Sequence, residues 1–254
     1  MRVFAISDLH VDYEPNAQWV RQLSLSEYRD DVLIVAGDVS DVEDRLRNCL
    51  ETLSRRFAQV LFVPGNHDLW VRRDAPELDS FGKFDRIQAL VRSCGASMDV
   101  FHRGALSIVP LLGWYDDSFG APGDELLQGW MDYRACRWPA GFEARDTAGA
   151  FLAMNRYRRR CDSEIIVSYS HFLPRIDVMP EAIPAAKRYL YPVLGCTALG
   201  DQVKALQSAV HVYGHSHVNQ RIRLEGTLFV NNAFAYPHET RIAAKALVCV
   251  YDAG

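Results

Sequence analysis

Five short motifs carry aspartate, asparagine and histidine, residue types that hold metal ions in proteins. They are Asp8-Leu9-His10, Gly37-Asp38-Val39-Ser40-Asp41, Gly65-Asn66-His67-Asp68, the single His171, and Gly214-His215-Ser216-His217. Carboxylate, imidazole and amide donors without a thiolate suit divalent ions of intermediate hardness, namely Mn, Fe, Zn or Ni. The motifs therefore predict a metal site assembled from segments that are far apart in the sequence.

These donors are too many for one ion, so the sequence favours a pair of ions. Two ions about 3.5–4 Å apart share a carboxylate and leave a face open for a bridging water that acts as the nucleophile. We assign the shared carboxylate to Asp38, which directly follows a glycine. The other donors divide into Asp8, His10 and His217 for one ion, and Asn66, His171 and His215 for the other.

The last motif needs a particular backbone for this division. We expect the backbone to turn at His215 and His217 instead of running on as a strand, with both side chains pointing inward. Gly214 precedes them and permits such a turn.

His67 is not needed as a ligand, and we predict that it is catalytic. Beside the ions it would hydrogen-bond a phosphoryl oxygen or protonate a departing alkoxide, as a general acid does. Such a histidine needs a partner on its other ring nitrogen. Asp41 leaves the same loop as Asp38 and is the partner we favour, with Asp68 as the alternative.

Each motif follows a short apolar run, as expected where a buried strand delivers polar residues to the carboxyl edge of a sheet. The predicted strands are Arg2–Ile6, Val32–Ala36, Gln59–Val63, Ile165–Tyr169 and Val210–Tyr213. Apolar residues at helical spacing predict helices over residues 17–25 and 43–57. The alternation of strands and helices predicts an α/β layered fold.

Two further segments differ from this pattern. Residues 69–163 are less regular and hold most of the tryptophans among glycines and prolines, which favours an irregular cap or insertion over the site. In the tail, residues 221–224 and Thr227–Asn231 predict an antiparallel hairpin that turns at Glu225-Gly226, and residues 246–251 predict a final strand.

The composition bounds the class of protein. The chain has 254 residues, of which 49% are hydrophobic and 24% charged, as in globular domains, and without a repeat or linker we expect one domain over residues 1–254. A formal net charge of −4 gives no basic footprint for a long nucleic acid. The six cysteines form no Cys-x-x-Cys pair and no apolar run is long enough to cross a bilayer, so we expect a cytoplasmic protein with no membrane partner.

The ordered motifs resemble those of the calcineurin-like metallophosphoesterases, binuclear metal hydrolases of phosphate esters. The resemblance runs from Asp8 to His217, and Asn231-Asn232 with Tyr236-Pro237-His238-Glu239 is similar to the family's closing segment. It implies a four-layer α/β/β/α sandwich with the site where the loops of the sheets meet. It also implies the ligand division given above, and a His67–Asp41 pair beside a metal-bound hydroxide.

One departure from the family pattern narrows the substrate. Protein Ser/Thr phosphatases of this family have Arg-Gly after the last aspartate of the second motif, and that arginine holds the substrate phosphate. Here Val42-Glu43 follow Asp41. The resemblance therefore implies hydrolysis of a small-molecule phosphomonoester or phosphodiester. The alternatives are Ser/Thr protein phosphatase activity and a non-catalytic scaffold that keeps the fold.

The remaining histidines lie outside the predicted site. His211 falls within a predicted strand, His102 follows an apolar pair, and His238 lies in a loop. We expect each of them to be a structural or surface residue.

Overall fold

The computed structural model describes residues 1–158 and 163–254. Within these ranges the strands are Arg2–Ile6 (β1), Val32–Ala36 (β2), Gln59–Val63 (β3), Ala96–Ser97 (β4), Phe101–Arg103 (β5), Leu106–Pro110 (β6), Ile165–Tyr169 (β7), Val210–Tyr213 (β8), Gln220–Leu224 (β9), Thr227–Asn231 (β10) and Val248–Asp252 (β11). The α-helices are Glu14–Gln22 (α1), Glu43–Ser54 (α2), Ser80–Ser93 (α3), Asp124–Gly129 (α4), Asp132–Ala135 (α5), Ala144–Met154 (α6) and Thr197–Ala205 (α7). Short 3-10 helices occupy His67–Leu69, Ile176–Val178 and Ala185–Val193.

The strands form two sheets. The first has the order β11-β1-β2-β3-β4, in which β1 to β4 are parallel and β11 is antiparallel to β1. The second has the order β5-β6-β7-β8-β10-β9, in which the four central strands are parallel and both edge strands are antiparallel. The carboxyl ends of the central strands in each sheet therefore lie along one edge.

The five strands predicted ahead of the motifs are confirmed with the predicted bounds. Every residue of Val32–Ala36 is buried, because β2 is a central strand that is covered on both faces. The predicted hairpin is confirmed as β9 and β10, and the final strand as β11. In β9 half-buried and exposed positions alternate, as suits an edge strand with one solvated face.

The first two helices are confirmed in type but differ in their ends. Helix α1 begins at Glu14 instead of residue 17. A proline in its first turn favours this start, because the N–H that proline lacks would have no hydrogen-bond partner in the first turn of a helix. Helix α2 begins at Glu43 as predicted and ends three residues early at Ser54. The face of α2 that the spacing predicted is buried, namely Leu46, Cys49, Leu50 and Leu53.

The sheets pack against each other with helices outside them, which confirms the predicted α/β sandwich. Apolar side chains of both sheets belong to one continuous core. The Tyr169 hydroxyl of β7 donates a hydrogen bond across the layers to the Phe62 carbonyl of β3, at 3.5 Å. Helices α1, α2 and α3 contact one another beside the first sheet. Helices α6 and α7 are linked by the Gln202 amide, which donates to the Leu152 carbonyl at 3.1 Å.

The segment over residues 69–163 is partly built into the sandwich. Helix α3 and strands β4, β5 and β6 lie in its first half, and these strands complete an edge of both sheets. Its later part, from Leu111 to Arg158, has only the short helices α4 and α5 and the helix α6 between loops. Any capping role therefore rests with that later part.

The two sheets are joined where the predicted site lies. The chain leaving β10 crosses to the end of β1, where the Ser7 amide donates to the Asn232 carbonyl at 3.1 Å and the Phe234 amide donates to the Ser7 carbonyl at 2.8 Å. The Asn232 side chain also donates to the Ala5 carbonyl at 2.9 Å. This seam brings the loop after β1 beside the loops of the second sheet.

The described cysteines, Cys49, Cys94, Cys136, Cys196 and Cys249, are free thiols. The sixth, Cys161, lies outside the described residues. Among the described helices, none combines the length and the apolar character that a membrane span requires.

An ion pair fastens the start of β1 to the residue before β2. Asp31 is buried and accepts hydrogen bonds from the Arg2 amide at 2.7 Å and from the Arg2 guanidinium at 3.0 and 2.7 Å. Burial by itself would raise the pKa of Asp31, but these hydrogen bonds and the arginine charge lower it overall. The ionised Asp31 thus stabilises the folded state at pH values above the pKa that it has in the unfolded chain. This contribution is lost as the pH falls through the lower pKa that Asp31 has in the folded protein.

We expect Asp31→Asn to lower the free energy of unfolding by about 2 kcal/mol near pH 7, because an amide replaces a charged acceptor. The difference from the unsubstituted protein should shrink below about pH 4, where the unfolded aspartate takes up a proton. Urea unfolding at both pH values measures it, with Asp30→Asn as the control because Asp30 is exposed. An equal difference at both pH values would contradict this account of the ion pair.

Candidate metal centre

The seven predicted ligands meet at the edge where the two sheets join. Six of them are buried, and the His217 side chain is 12% exposed. Leaving Asn66 aside, their donor atoms form two groups, each lying within 4.8 Å, and both groups contain Asp38. One comprises Asp8, His10, Asp38 and His217, and the other comprises Asp38, His171 and His215.

The first group spans the ends of β1, β2 and β8. His10 Nε2 lies 3.1 Å from His217 Nε2 and 3.9 Å from Asp38 Oδ2. His217 Nε2 lies 3.3 Å from Asp8 Oδ1. The arrangement can present two carboxylates and two imidazoles to one ion.

The second group spans the ends of β2, β7 and β8, and Asn66 after β3 lies against it. His171 Nε2 lies 3.1 Å from Asn66 Oδ1, 3.1 Å from His215 Nδ1 and 3.5 Å from Asp38 Oδ1. Asp38 thus turns Oδ1 toward this group and Oδ2 toward His10 of the first group. Its two oxygens therefore face two different groups of donors.

Three of the imidazoles have one ring nitrogen held by a protein acceptor, which fixes the nitrogen that faces the centre. The pairs are His171 Nδ1 with the Ala36 carbonyl at 2.8 Å, His215 Nε2 with the Val193 carbonyl at 2.9 Å, and His217 Nδ1 with the Glu239 carboxylate at 2.7 Å. Metal-binding histidines are oriented by such contacts to their second nitrogen.

The donor set fits a cation. Burial lowers the pKa of His171 and His215, so these rings are neutral and each keeps its one hydrogen on the nitrogen that faces a carbonyl. His171 Nε2 then carries a lone pair. His215 Nδ1 and Asn66 Oδ1 each direct a lone pair toward it from 3.1 Å away, and none of these three atoms has a hydrogen to share. Lone pairs at this distance repel one another unless a positive charge lies between them.

The ionisable side chains of the first group shift one another's pKa values. Burial and the charge of Asp8 raise the pKa of Asp38 well above its ordinary value. Burial alone would lower the pKa of His217, but Asp8 and Glu239 raise it to about 9. Burial opposes ionisation of Asp8, yet the charge and hydrogen bond of His217 hold the pKa of Asp8 below its ordinary range. The negative charge of Asp8 thus opposes ionisation of Asp38 beside it, and a bound divalent ion would offset the repulsion between the two carboxylates.

Five of the seven candidate ligands adopt left-handed backbone angles. The φ values are 52° for Asp8, 40° for His10, 56° for Asp38, 66° for His215 and 56° for His217. Residues with side chains rarely adopt this conformation, which costs about 1–3 kcal/mol and clusters at functional sites. The backbone turn expected at His215 and His217 is therefore present at both residues.

Glycines flank the ligands because the ligands leave no room for a side chain. At Gly65, a Cβ atom would lie 2.7 Å from the Asp38 amide nitrogen and 2.7 Å from His171 Cε1, and would also collide with Asp38 Oδ1. At Gly214, a Cβ atom would lie 2.8 Å from Asp8 Oδ2. Gly214 itself is not left-handed, so close approach and not backbone freedom explains it.

The structure places His67 in the site but gives Asp41 another partner. The His67 ring stacks on Trp70 with centroids 3.7 Å apart, and its Nε2 lies 3.9 Å from Asp38 Oδ2. The Asp41 carboxylate pairs with Arg73. Among the described residues, no hydrogen bond or ion pair joins His67 to Asp41, so the pair that the sequence led us to expect is not formed here.

Asp68, the alternative partner for His67, is fully used by the backbone. Its two oxygens accept hydrogen bonds of 2.8–3.0 Å from four amides, those of Asp38, Val39, Ser40 and Gly65. Asp68 thus holds the loops after β2 and β3 together. It shapes the loop that carries Asp38.

Several residues of the site were not singled out from the sequence. Tyr236 packs on His10 and His217, with centroids 4.5 and 4.8 Å apart, and Glu239 holds His217. Both lie in the segment quoted for its similarity to the family's closing segment, although no role was assigned to them. Asp132, which accepts hydrogen bonds from Asn66 and Trp70, lies in the irregular segment, as Trp70 does, and neither residue belongs to one of the motifs.

The other histidines behave as expected. His211 is buried and hydrogen-bonded to the hydroxyls of Ser168 and Ser170, at 2.8 and 3.0 Å. His102 is hydrogen-bonded to the Ser107 hydroxyl at 2.6 Å. His238 is exposed and stacks on Tyr236.

A groove of about 440 Å³ adjoins the centre. It is lined by Asp41, Trp70, Arg72, Arg73, Met131 and Ala135. Since Trp70 also stacks on His67, this groove lies beside the His67 ring. A larger groove of about 790 Å³ contains none of the candidate ligands, and its charged side chains pair with each other, as Arg175 does with Asp177.

We expect Gly65→Ala to weaken metal binding by at least about tenfold, because the added methyl group displaces Asp38 and His171. Titration calorimetry with Mn²⁺ measures this effect. The matched control is Gly149→Ala in α6, where an added Cβ meets nothing within 4 Å. Equal Mn²⁺ affinity in the two variants would show that Gly65 does not serve the site.

Comparison with known proteins agrees with this geometry. The model of the calcineurin-like phosphoesterase family matches residues 1–219. The chain is 28% identical to the [acyl-carrier-protein] phosphodiesterase PptH of Mycobacterium tuberculosis, over 94% of this chain and 79% of that protein.

Solved structures show the same fold. The crystal structure of phosphopantetheinyl hydrolase PptH from Mycobacterium tuberculosis superposes with a TM-score of 0.80 and 28% identity, covering 100% of this chain and 98% of that one. GAP50 of Plasmodium shares the fold alone, with a TM-score of 0.50 and 10% identity over 91% of this chain and 70% of that one. The chain belongs to the calcineurin-like phosphoesterase family and is a metal-dependent phosphoric ester hydrolase.

Proposed function

We propose that this chain is a phosphodiesterase whose site holds two divalent ions, of Mn, Fe, Zn or Ni. The observation that carries the proposal is the position of Asp38, whose two oxygens face two separate groups of donors. Asp8, His10 and His217 would hold one ion, and Asn66, His171 and His215 the other, with Asp38 shared between them. Carboxylate, imidazole and amide donors suit all four of these metals.

Divalent ions in such a site supply positive charge to the phosphoryl oxygens and activate water as a nucleophile. The protein's own part is to fix the donors in advance. The carbonyls of Ala36 and Val193 and the Glu239 carboxylate orient three of the imidazoles. The donors therefore need little rearrangement during the reaction, which favours electrostatic stabilisation of the transition state.

His67 acts on the leaving group in this proposal. Its ring is 18% exposed and lies between His10 and Trp70, with centroids 4.7 and 3.7 Å away. Its backbone amide donates to Asp38 Oδ1 at 2.9 Å, which ties its position to the shared ligand. Burial and the neighbouring histidines lower the pKa of His67 to about 3, so its neutral ring can donate a hydrogen bond to the departing oxygen. The negative charge of a bound phosphate ester would favour the protonated ring, which can then pass a proton to that oxygen.

Asp41 has a different part from the one expected. Arg73 bridges Asp41 and Asp12 at the edge of the groove. Through Arg73, Asp41 shapes the groove that leads to His67, and it does not orient the His67 ring. Arg73 and the neighbouring Arg72 give this groove two guanidinium groups that can approach a phosphate ester.

The substrate class we propose is a phosphodiester that joins a phosphopantetheine group to a carrier protein. The support is the similarity to PptH along the whole chain, with 28% identity and a TM-score of 0.80. Val42-Glu43, in place of the Arg-Gly of protein phosphatases, also suits a diester, which carries less charge than a phosphomonoester. Other small phosphate esters are the alternatives that the assay must separate.

We expect Asp38→Asn to lose both metal binding and turnover, because an amide cannot provide two anionic oxygens to two ions. The assay compares bis(para-nitrophenyl) phosphate, para-nitrophenyl phosphate and a phosphopantetheinylated acyl carrier protein, with Mn²⁺, Zn²⁺, Mg²⁺ or no added metal. Asp44→Asn is the control, because Asp44 is an exposed residue of α2.

Metal-dependent cleavage of the carrier protein ester by the unsubstituted protein, lost in Asp38→Asn, would support both the site and the substrate. Cleavage of the nitrophenyl esters alone would leave the site supported and overturn the substrate class. Full turnover by Asp38→Asn would overturn the shared-ligand assignment.

We expect His67→Ala to keep its metal ions and to lose about 10²–10⁴-fold in kcat on an alkyl ester, whose leaving oxygen needs a proton. The loss on a nitrophenyl ester should be much smaller, because nitrophenolate leaves without protonation. His102→Ala serves as the control, since His102 lies on β5 and contacts Ser107 instead of the site. Equal losses on both esters would contradict the leaving-group role.

A further inference from the structure

A buried carboxylate outside the candidate ligand set joins three walls of the metal centre. Asp132 is the first residue of α5 and is 3% exposed. Its Oδ1 accepts hydrogen bonds from Asn66 Nδ2 at 2.8 Å and from Trp70 Nε1 at 2.7 Å. Its Oδ2 accepts one from Trp130 Nε1 at 2.8 Å.

The contact with Asn66 decides which end of that amide faces the centre. An amide has a donor nitrogen and an acceptor oxygen of almost equal size, so shape alone does not set its orientation. A carboxylate that accepts from Nδ2 leaves Oδ1 directed at His171 Nε2, 3.1 Å away. A flipped amide would turn an N–H group toward the ion and remove one ligand.

The two indoles extend the same control to the histidines. Trp70, held through its N–H by Asp132, stacks on His67 with an interplanar angle of 27°. Trp130, held in the same way, meets the His215 ring edge to face, with centroids 5.9 Å apart. One carboxylate thereby fixes the surroundings of a ligand amide, a ligand imidazole and the ring of His67.

Stability alone is a weak reason for a carboxylate at this position. Removing a charged group from water costs several kcal/mol, and well-packed apolar residues often serve a buried position as well or better. Unlike an apolar residue, a carboxylate accepts hydrogen bonds through both of its oxygens, so only donor groups pack favourably around it. The side chains bound to it are all donors, namely the N–H groups of Asn66, Trp70 and Trp130 and the hydroxyl of Tyr115.

We propose that Asp132 is a positioning residue that sets the Asn66 amide for the second ion and the Trp70 ring for His67. The proposal rests on the two-ion site proposed above. It also gives the irregular stretch between Leu111 and Arg158 a direct part in assembling the centre.

The test uses Mn²⁺ titration calorimetry, with electron paramagnetic resonance of the Mn²⁺-loaded protein as the second readout. We expect Asp132→Asn to weaken the second ion by about 10–100-fold and to leave the first within about twofold. The signal of spin-coupled Mn²⁺ pairs should give way to that of isolated ions. Asp124→Asn is the matched control, because Asp124 is likewise the first residue of a short helix, α4, and is exposed.

The double variant Asn66→Asp/Asp132→Asn, made in a Trp70→Phe background because Trp70 Nε1 donates to the same Asp132 oxygen as Asn66, reverses the polarity of the contact. An amide at position 132 can donate to a carboxylate at position 66, whose other oxygen then faces the ion. We expect this variant to recover the second ion and the coupled signal. It also keeps the test decisive if Asp132→Asn by itself folds poorly.

Two bound ions with unchanged affinities in Asp132→Asn would overturn the positioning role. Equal weakening of both ions, not repaired in the double variant, would also overturn it, because it would indicate a general structural role. A single bound ion in the unsubstituted protein is a different result, since it would overturn the two-ion site as well.

Discussion

The structure depends on bringing mutually repelling acceptor groups together in a buried place. Asp8, Asp38, Asn66 and four imidazoles converge where water is largely excluded. Such an assembly is unfavourable unless cations occupy it, so the rest of the fold must hold these groups in position. The left-handed backbone at five of the candidate ligands is one measure of that constraint.

The two parallel sheets supply the rigidity. Parallel strands place the loops at their carboxyl ends along one edge, and the Asn232 seam sets the edge of one sheet beside that of the other. Asp68 then binds the loops after β2 and β3 through four backbone amides. Strain in the ligand loops is therefore offset by hydrogen bonds and packing elsewhere.

A second layer of contacts sets the chemistry of the first. Glu239 holds His217, backbone carbonyls hold His171 and His215, and Asp132 holds Asn66. Groups of this kind fix the tautomer or the flip of a ligand. They come from the tail, the backbone and the irregular segment, so the centre depends on nearly every part of the chain.

The sequence by itself determined eight of the eleven described strands, the residues proposed as ligands and the family. The central strands are covered on both faces and appear in the sequence as apolar runs. Asp8, Asp38 and Asn66 come shortly after those runs, so the strands and these residues can both be recognised from local sequence. Tertiary structure alone decided that Asp41 pairs with Arg73 and that Asp132 bonds to Asn66, 66 residues away. Such contacts depend on how loops without a periodic pattern pack, and neither spacing nor propensity encodes that.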